Sequence, residues 1–376
     1  MAITCLSDLR DPSACPRIVI KVGSSLLVDR GEPRAAWLDT LAAEIAGFAA
    51  RGQQVIVVSS GSIALGAARL SLDNGGRGSL ADAQAAASVG QIALAGLWAD
   101  ALDRHGLIAA QMLLTLDDLE DRRRYLNASS TLSRLLAARA VPVVNENDSV
   151  ATEEIRFGDN DRLAARVAQA AGADAVLLLS DVDGLYDRNP RDPGATLVSL
   201  VEGLTPDVMA MADGVSGSGM GSGGMVSKLQ AAEIAERAGI ALAIVNGTHA
   251  SPITRATDQG VGTVFVPSRS DSARKAWLGG RLRMAGKLAI DQGCVEALRQ
   301  GASLLAAGIT AIEGDFGRGD AVAICDPQGQ VVAQGLVEYD AVLCKRLMGT
   351  RNNQHAALLG HAPRPAVVHR DHLVML

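Results

Sequence analysis

The sequence predicts an α/β fold, a mainly parallel sheet sandwiched by helices, followed by a small β-rich domain. Three observations carry this. From Arg17 to about Val266, short aliphatic runs alternate with longer helical stretches, as in chains whose parallel strands are joined by crossover helices. The runs are continuously apolar rather than alternating, as strands buried on both faces are. After the polar stretch 267–272 (PSRSDS) the texture changes to short β-prone pieces punctuated by glycine.

The elements follow in order. Strands are expected at Arg17–Val22, Gln54–Ser59, 107–113, 141–145, Ala175–Ser180 and Ala241–Asn246. Between the first two, Leu38, Leu41, Ile45 and Phe48 recur at helical spacing and mark the buried stripe of a helix. Further helices fit 63–70, 83–104, 121–139, 162–171 and 226–238. Beyond the polar stretch, Asp326-Pro-Gln-Gly329 separates the apolar runs Ala321–Cys325 and 331–339, a hairpin signal in which Pro and Gly set the turn. The reading is a first domain over 1–270 with an N-terminal extension at 1–16, a second over 281–360, and a tail over 361–376. Four of the six histidines fall between 355 and 372.

Composition narrows the class. Of 376 residues, 48% are apolar and 20% charged, an ordinary globular balance at a length that suggests two or three domains. The net charge of −6 does not favour nucleic acid or anionic membrane as a partner. Five cysteines, with no C-x-x-C and no histidine at zinc spacing, read as idle thiols in a reducing compartment. The N-terminus lacks the basic start and apolar run of a signal, and no run approaches the roughly 20 apolar residues of a membrane span. A cytoplasmic protein without a membrane partner is expected.

Loops at the carboxyl ends of parallel strands usually carry function, and five segments stand out there. Lys21-Val-Gly-Ser-Ser25 follows the first strand and can offer an ammonium, backbone N–H groups and hydroxyls to a phosphate. A strand-capping lysine with a turn is the plainer alternative. Ser59-Ser-Gly-Ser62 leads into an apolar helix, so it is either an anion site or a simple N-cap. Asn145-Glu-Asn-Asp148 and Phe157-Gly-Asp-Asn-Asp161 are dense in carboxylates and carboxamides and suit a ligand with a cationic group. A solvated loop with an Asp N-cap is the alternative, and EF-hand spacing is missing. Ser180-Asp-Val-Asp-Gly-Leu-Tyr186 can hold part of a nucleotide or merely turn the chain.

The most specific segment is Gly217-Ser-Gly-Met-Gly-Ser-Gly-Gly-Met-Val-Ser-Lys228, whose backbone can wrap phosphates before a helix begins. Its Gly219–Gly224 portion matches G-x-G-x-x-G formally, but no buried strand precedes it, and Ser227 stands before Lys228 rather than after it. It is therefore neither a dinucleotide fingerprint nor a P-loop. Two lysines on separate glycine loops can flank a transferring phosphoryl group. None of the five segments contains a histidine, which suits a carboxylate acceptor, already ionised at neutral pH and in no need of a general base.

These stretches resemble the amino-acid kinase superfamily, and within it the glutamate 5-kinase family with its C-terminal PUA domain. IVIKVGSS, VIVVSSGSIALG, VPVVNENDSVATEEIRFGDNDRLAA, LLLSDVDGLY and GSGGMVSKLQAA carry the resemblance, with FGRGDAVAICDPQGQVVAQGL for the PUA part. It implies ATP and L-glutamate as substrates, Mg²⁺ held mainly by the nucleotide phosphates, and glutamyl 5-phosphate as product. It also implies feedback by proline, a homo-oligomer (dimer or tetramer) and contact with the next enzyme of the pathway. By motif, Lys21, Lys228, Asp159 and Asp161 would be catalytic, the two aspartates organising the lysines. Lys21, Gly23, Ser180, Asp181, Ser222, Gly223, Gly224, Met225, Val226, Ser227 and Lys228 would hold ATP. Ser60, Asp148 and Asn160 would hold glutamate. Ser180 and Ser222 stand where the family commonly has Thr.

Two other readings compete. A sister kinase for another small acid, amino acid or nucleotide would share the lysines but not the paired N-E-N-D and G-D-N-D motifs. An RNA-binding protein would put its chemistry in 281–360, a segment with few aromatics and no basic stripe. RNA binding by that domain is not expected.

Overall fold

The computed structural model describes residues 3–150, 159–213, 224–267, 284–360, 362–364 and 366–375. It divides into two compact units, Met1–Glu120 with Ala128–Arg269 and Asp121–Asn127 with Ser270–Leu376.

The first unit is built on one eight-stranded sheet: β1 (Arg17–Val22), β2 (Gln54–Ser59), β3 (Ile108–Leu114), β4 (Ala140–Glu146), β5 (Ala175–Ser180), β6 (Leu200–Glu202), β7 (Ala241–Asn246) and β8 (Thr263–Val266). The spatial order is β3-β4-β2-β1-β5-β7-β8-β6. The six strands expected from the sequence all run parallel to one another, while β6 and β8 are parallel only to each other. β8 runs antiparallel to β7, and β6 lies alongside β8. At three and four residues these two are too short to register as apolar runs. β3 also departs from the expectation of strands buried on both faces. It is the sheet's edge, with Ile108, Gln111 and Leu113 exposed.

The helices of this unit are α1 (Ala35–Ala50), α2 (Ser62–Leu70), α3 (Leu80–Asp103), α4 (Arg122–Ala137, whose first turn belongs with the second unit), α5 (Asp159–Ala171), α6 (Pro206–Asp213), α7 (Met225–Arg237) and α8 (Pro252–Gln259), besides shorter turns. Side chains alternate across the strands. Ile18, Ile20, Val55, Val57, Leu177 and Leu179 join α1, α3 and α8 in one core. The intervening residues, Lys21 among them, belong to the face on which α5 and α7 pack. The N-terminal extension is part of the same unit, since Ile3, Leu6, Leu9 and Cys15 are buried in that core.

α3 is long and apolar enough, by length and composition, to cross a bilayer, although its sequence contains no unbroken apolar run of that length. In the fold its Leu94, Trp98 and Leu102 are buried in the sheet's core. It crosses α2 backbone to backbone. A Cβ on Gly66 would stand 1.7 Å from the Ala86 carbonyl oxygen, and one on Gly90 1.8 Å from that of Ser62. Gly90→Ala is therefore expected to force the helices apart and cost about 3 kcal/mol, the upper end for overpacking, read as a fall in the urea midpoint at unchanged m-value.

The second unit holds a five-stranded sheet of β9 (Gly286–Ile290), β10 (Ile309–Gly314), β11 (Ala321–Cys325), β12 (Val331–Leu336) and β13 (Leu373–Met375), in the order β10-β9-β11-β12-β13. The expected hairpin joins β11 to β12. The Asp326 carboxylate accepts from the backbone N–H of Gln328 and Gln330, and Gly329 takes φ +81°. β12 stops at Leu336 because the next two N–H groups turn to the carbonyls of Asp320 and Val367. Residues 373–375, read from sequence as part of a tail, pair with β12 as its outer neighbour. Three residues after a histidine-rich stretch give no strand signal of their own.

Candidate active site

The parallel register sets the strand ends level. Val22 pairs with Ser59 and with Leu179, Leu113 with Asn145, and Ser180 with Asn246. The motifs that follow these strands therefore start from one end of the sheet, as expected of a parallel α/β fold.

At its centre one carboxylate lies between two ammonium groups. Lys21 Nζ is 2.6 Å from Asp161 Oδ1, and Lys228 Nζ is 3.3 Å from Asp161 Oδ2. The Ser227 hydroxyl donates to the same Oδ2 at 2.9 Å. All are buried: Asp161 is 1% exposed, Lys21 8% and Lys228 9%. The fold builds this from three elements. Lys21 comes from β1, Asp161 from the first turn of α5, and Ser227 and Lys228 from the first turns of α7. α5 begins at Asp159, three residues before the start read from the sequence. Asp161 is therefore not an N-cap. It lies inside the helix, beside its positive end.

The electrostatics follow from burial and pairing. Burial pushes the Lys21 ammonium below its ordinary range, Asp161 pulls it back up, and Lys228 pushes it down again. Burial also raises the Asp161 carboxyl, but Lys21 and Lys228 outweigh it and hold the group below the usual carboxylate range. The cluster thus keeps two cations side by side at two helix N-termini, a place where an anion with spread charge is stabilised. Gly23 lies beside this cluster, with its Cβ position 3.9 Å from Lys21 Nζ.

A second group of polar side chains lies beside it. Asn160 Nδ2 donates to Ser60 Oγ at 2.8 Å and to Asn145 Oδ1 at 3.5 Å. The Ser62 hydroxyl donates to Asp148 Oδ2 at 3.4 Å, and Asn145 Nδ2 donates to Gln91 Oε1 at 2.7 Å. Asp148 is 7% exposed. Asn160 Oδ1 is a buried acceptor with no hydrogen-bond partner among the described residues, an arrangement that suits a ligand's N–H donor. Between Ser60 and Ser62, Gly61 takes φ +111°, and a Cβ there would be 3.4 Å from Val28. Only glycine reaches that conformation cheaply, which explains the S-S-G-S spacing.

On the other side of β1, the Ser180 hydroxyl donates to Asp181 Oδ1 at 3.2 Å, and the Gly247 N–H donates to the Ser180 carbonyl at 2.7 Å. Asn246 Nδ2 reaches Asp183 Oδ1 at 2.9 Å. Gly224 and Val226 are exposed and Met225 is buried. Ser222, Gly223, the rest of the glycine loop 217–221 and the side chain of Asp159 lie outside the described residues.

Sequence reasoning missed three contributors. Asn145, Gln91 and Asn246 all hold other site residues. Asn145 opens the N-E-N-D motif and could have been included for that reason. Gln91 gives no local signal, because only the α2–α3 crossing brings it to the site. Ser227, a nucleotide ligand by the resemblance, also donates its hydroxyl to Asp161.

The model of the amino acid kinase family matches residues 16–246, and that of the PUA domain matches 286–354. The chain is 64% identical to a glutamate 5-kinase of Novosphingobium aromaticivorans over 100% of both chains. It is 59% identical to a glutamate 5-kinase of Sphingopyxis alaskensis over 98% of this chain and 100% of that one, and 57% identical to one of Zymomonas mobilis over 97% and 92%.

Proposed function

The chain belongs to the amino acid kinase family, and we propose that its site moves the γ-phosphoryl group of ATP to the γ-carboxylate of L-glutamate, giving glutamyl 5-phosphate for proline synthesis. The observation that carries this is Asp161 held between Lys21 and Lys228. A carboxylate oxygen of glutamate attacks the γ-phosphorus, the bond to the β,γ-bridging oxygen breaks, and ADP leaves. No proton has to be removed from the acceptor. What the protein supplies is alignment and cationic charge on the oxygens of the phosphoryl group in flight.

Each group has a place in this reading. The buried Asp148 carboxylate and the unpartnered Asn160 Oδ1 take the α-ammonium of glutamate, with Ser60 beside them. Lys21, Gly23, Ser180, Asp181 and residues 222–228 take ATP. Asp159 and Asp161 organise the lysines. Both oxygens of Asp161 are taken by ammonium groups, so Mg²⁺ in this proposal rides on the ATP phosphates, where it offsets their charge.

The proposal places a kinase domain in 1–270, a PUA domain in 281–360 and the enzyme in the cytoplasm. By the same resemblance it extends to feedback by proline at or near the glutamate site, a homodimer or homotetramer, and contact with the enzyme that takes the acyl phosphate onward. RNA is not among the partners proposed. In the second unit, Arg318 and Arg364 spend charge on the buried Glu338, at 3.1 and 3.4 Å.

The test is ADP release from ATP and Mg²⁺ with L-glutamate, L-aspartate, UMP or no acceptor, with hydroxylamine added to trap an acyl phosphate. Glutamate-dependent turnover with hydroxamate formation is expected, and turnover with another acceptor alone would move the activity elsewhere in the family. Asp148→Ala is expected to raise the KM for glutamate about 10- to 100-fold, the worth of a lost charged hydrogen bond, while kcat changes less. An unchanged KM removes Asp148 from the glutamate site.

A further inference from the structure

The polar group around Asn160 has a direction, and α3 holds it. Its fixed point is Asp148, whose carboxylate can only accept. The Ser62 hydroxyl spends its single hydrogen there at 3.4 Å, so toward Asn145 it must accept. Asn145 Nδ2 therefore faces Ser62, at 3.3 Å, and gives its other hydrogen to Gln91 Oε1 at 2.7 Å. That leaves Asn145 Oδ1 to accept from Asn160 Nδ2 at 3.5 Å, and the second Nδ2 hydrogen of Asn160 goes to Ser60 Oγ at 2.8 Å. Both hydrogens of the Asn160 carboxamide are thus used inside the protein. Its Oδ1, buried and without a hydrogen-bond partner among the described residues, is what remains for a ligand.

The lengths decide which link matters. The bonds at 3.3, 3.4 and 3.5 Å lie beyond the ordinary range, whereas the one to Gln91 is short. Asn145 is 2% exposed, so it cannot trade a lost partner for water. Reversing Asn145 would set its carbonyl oxygen against Gln91 Oε1 and its Nδ2 against that of Asn160. Asn160 would then reverse in turn and offer the ligand N–H donors, which repel an ammonium group. α3 delivers Gln91 through its close crossing with α2, where Gly90 meets the Ser62 carbonyl. Two turns on, on the same face, Trp98 Nε1 donates to Ser59 Oγ at 2.8 Å, and the Ser59 hydroxyl donates to the Ser60 carbonyl at 3.2 Å. One helix therefore braces both the S-S-G-S and the N-E-N-D segments.

We propose that Gln91 is a positioning residue for acceptor selection. By locking Asn145 it fixes Asn160 with its oxygen toward the acceptor's ammonium group. The site thereby favours an amino acid over the same dicarboxylate without its amine. This rests on the glutamate reading given above.

Steady-state kinetics of the full chain with L-glutamate, and inhibition by glutarate, which has both carboxylates but no amine, provide the test. Gln91→Leu keeps helix propensity and removes the acceptor. It is expected to raise the KM for glutamate about 10-fold, as befits one buried donor left unpaired, while the Ki for glutarate moves less than about 3-fold. Gln91→Glu can only accept when ionised, so it should return the KM to within about 3-fold of wild type. The KM for ATP and the urea midpoint report whether the fold is intact. Equal weakening of both acids in Gln91→Leu, or a Gln91→Glu variant as impaired as Gln91→Leu, would make the residue a mere support of the fold and overturn the proposal. Wild-type protein that turns over L-glutamate yet binds glutarate as tightly overturns it too, since there is then no selection to set. Wild-type protein without glutamate turnover overturns the reading of the site itself, and the proposal with it.

Discussion

Asp161→Asn is expected to lower kcat on the order of 10³-fold while leaving the protein folded enough to bind ATP. Asparagine keeps the shape of the side chain and can still accept from Ser227, so the substitution removes chiefly the charge. That charge is the only carboxylate shown pairing with Lys21 or Lys228 among the described residues. Without it, two buried cations face each other, and breaking a buried pair in this way costs about 3–5 kcal/mol. Some of the loss is stability, read from the denaturant midpoint.

The pH profile separates that loss from the catalytic effect. Lys21 must be protonated to act, and burial already pulls its pKa down while Asp161 opposes the shift. Removing the opposing charge lowers the pKa further, so the alkaline limb of kcat should move to lower pH in the variant. On the acid side Asp161 sits below the usual carboxylate range, so wild-type activity should not fall there until well below neutrality. An alkaline limb at the same pH in both proteins would remove Asp161 as the group that sets the lysines.

Much of this site was legible in the sequence because it depends on strand ends. Lys21, Ser60 and Ser180 each lie at or just beyond the last residues of an apolar run, and a parallel sheet brings such ends together whatever the details of its helices. Asp161 and Lys228 were legible for a different reason, since each opens an amphipathic helix next to glycine and carboxamide residues. What the sequence could not reveal is set by crossings rather than by runs. Gln91 reaches Asn145 only because Gly66 and Gly90 let two helix backbones touch. The short strands β6 and β8 and the outer strand β13 owe their pairing to neighbours already in place, so their own few residues carry little signal.

Lys228→Ala is expected to cut kcat about 10²- to 10³-fold with little change in the KM for ATP. The argument rests on where the charge is needed. In the ground state the nucleotide phosphates carry Mg²⁺ and are held by several backbone and side-chain groups in the proposed reading, so one ammonium among them adds little to binding. As the phosphoryl group leaves ADP, negative charge gathers on the bridging oxygen and spreads over the oxygens in flight, and a cation fixed beside them gains most at that moment. Lys228 is fixed: it is 9% exposed, lies in the opening turns of α7, and is tied to Asp161 at 3.3 Å. Alanine keeps helix propensity at that position, so α7 should persist. The substitution also leaves Asp161 paired with Lys21 at 2.6 Å, so no carboxylate is stranded. Steady-state kinetics at saturating glutamate decide the matter. A fall in kcat alone assigns Lys228 to the transition state. A KM for ATP that rises by a similar factor would make it an ordinary phosphate ligand and leave Lys21 to carry the transfer.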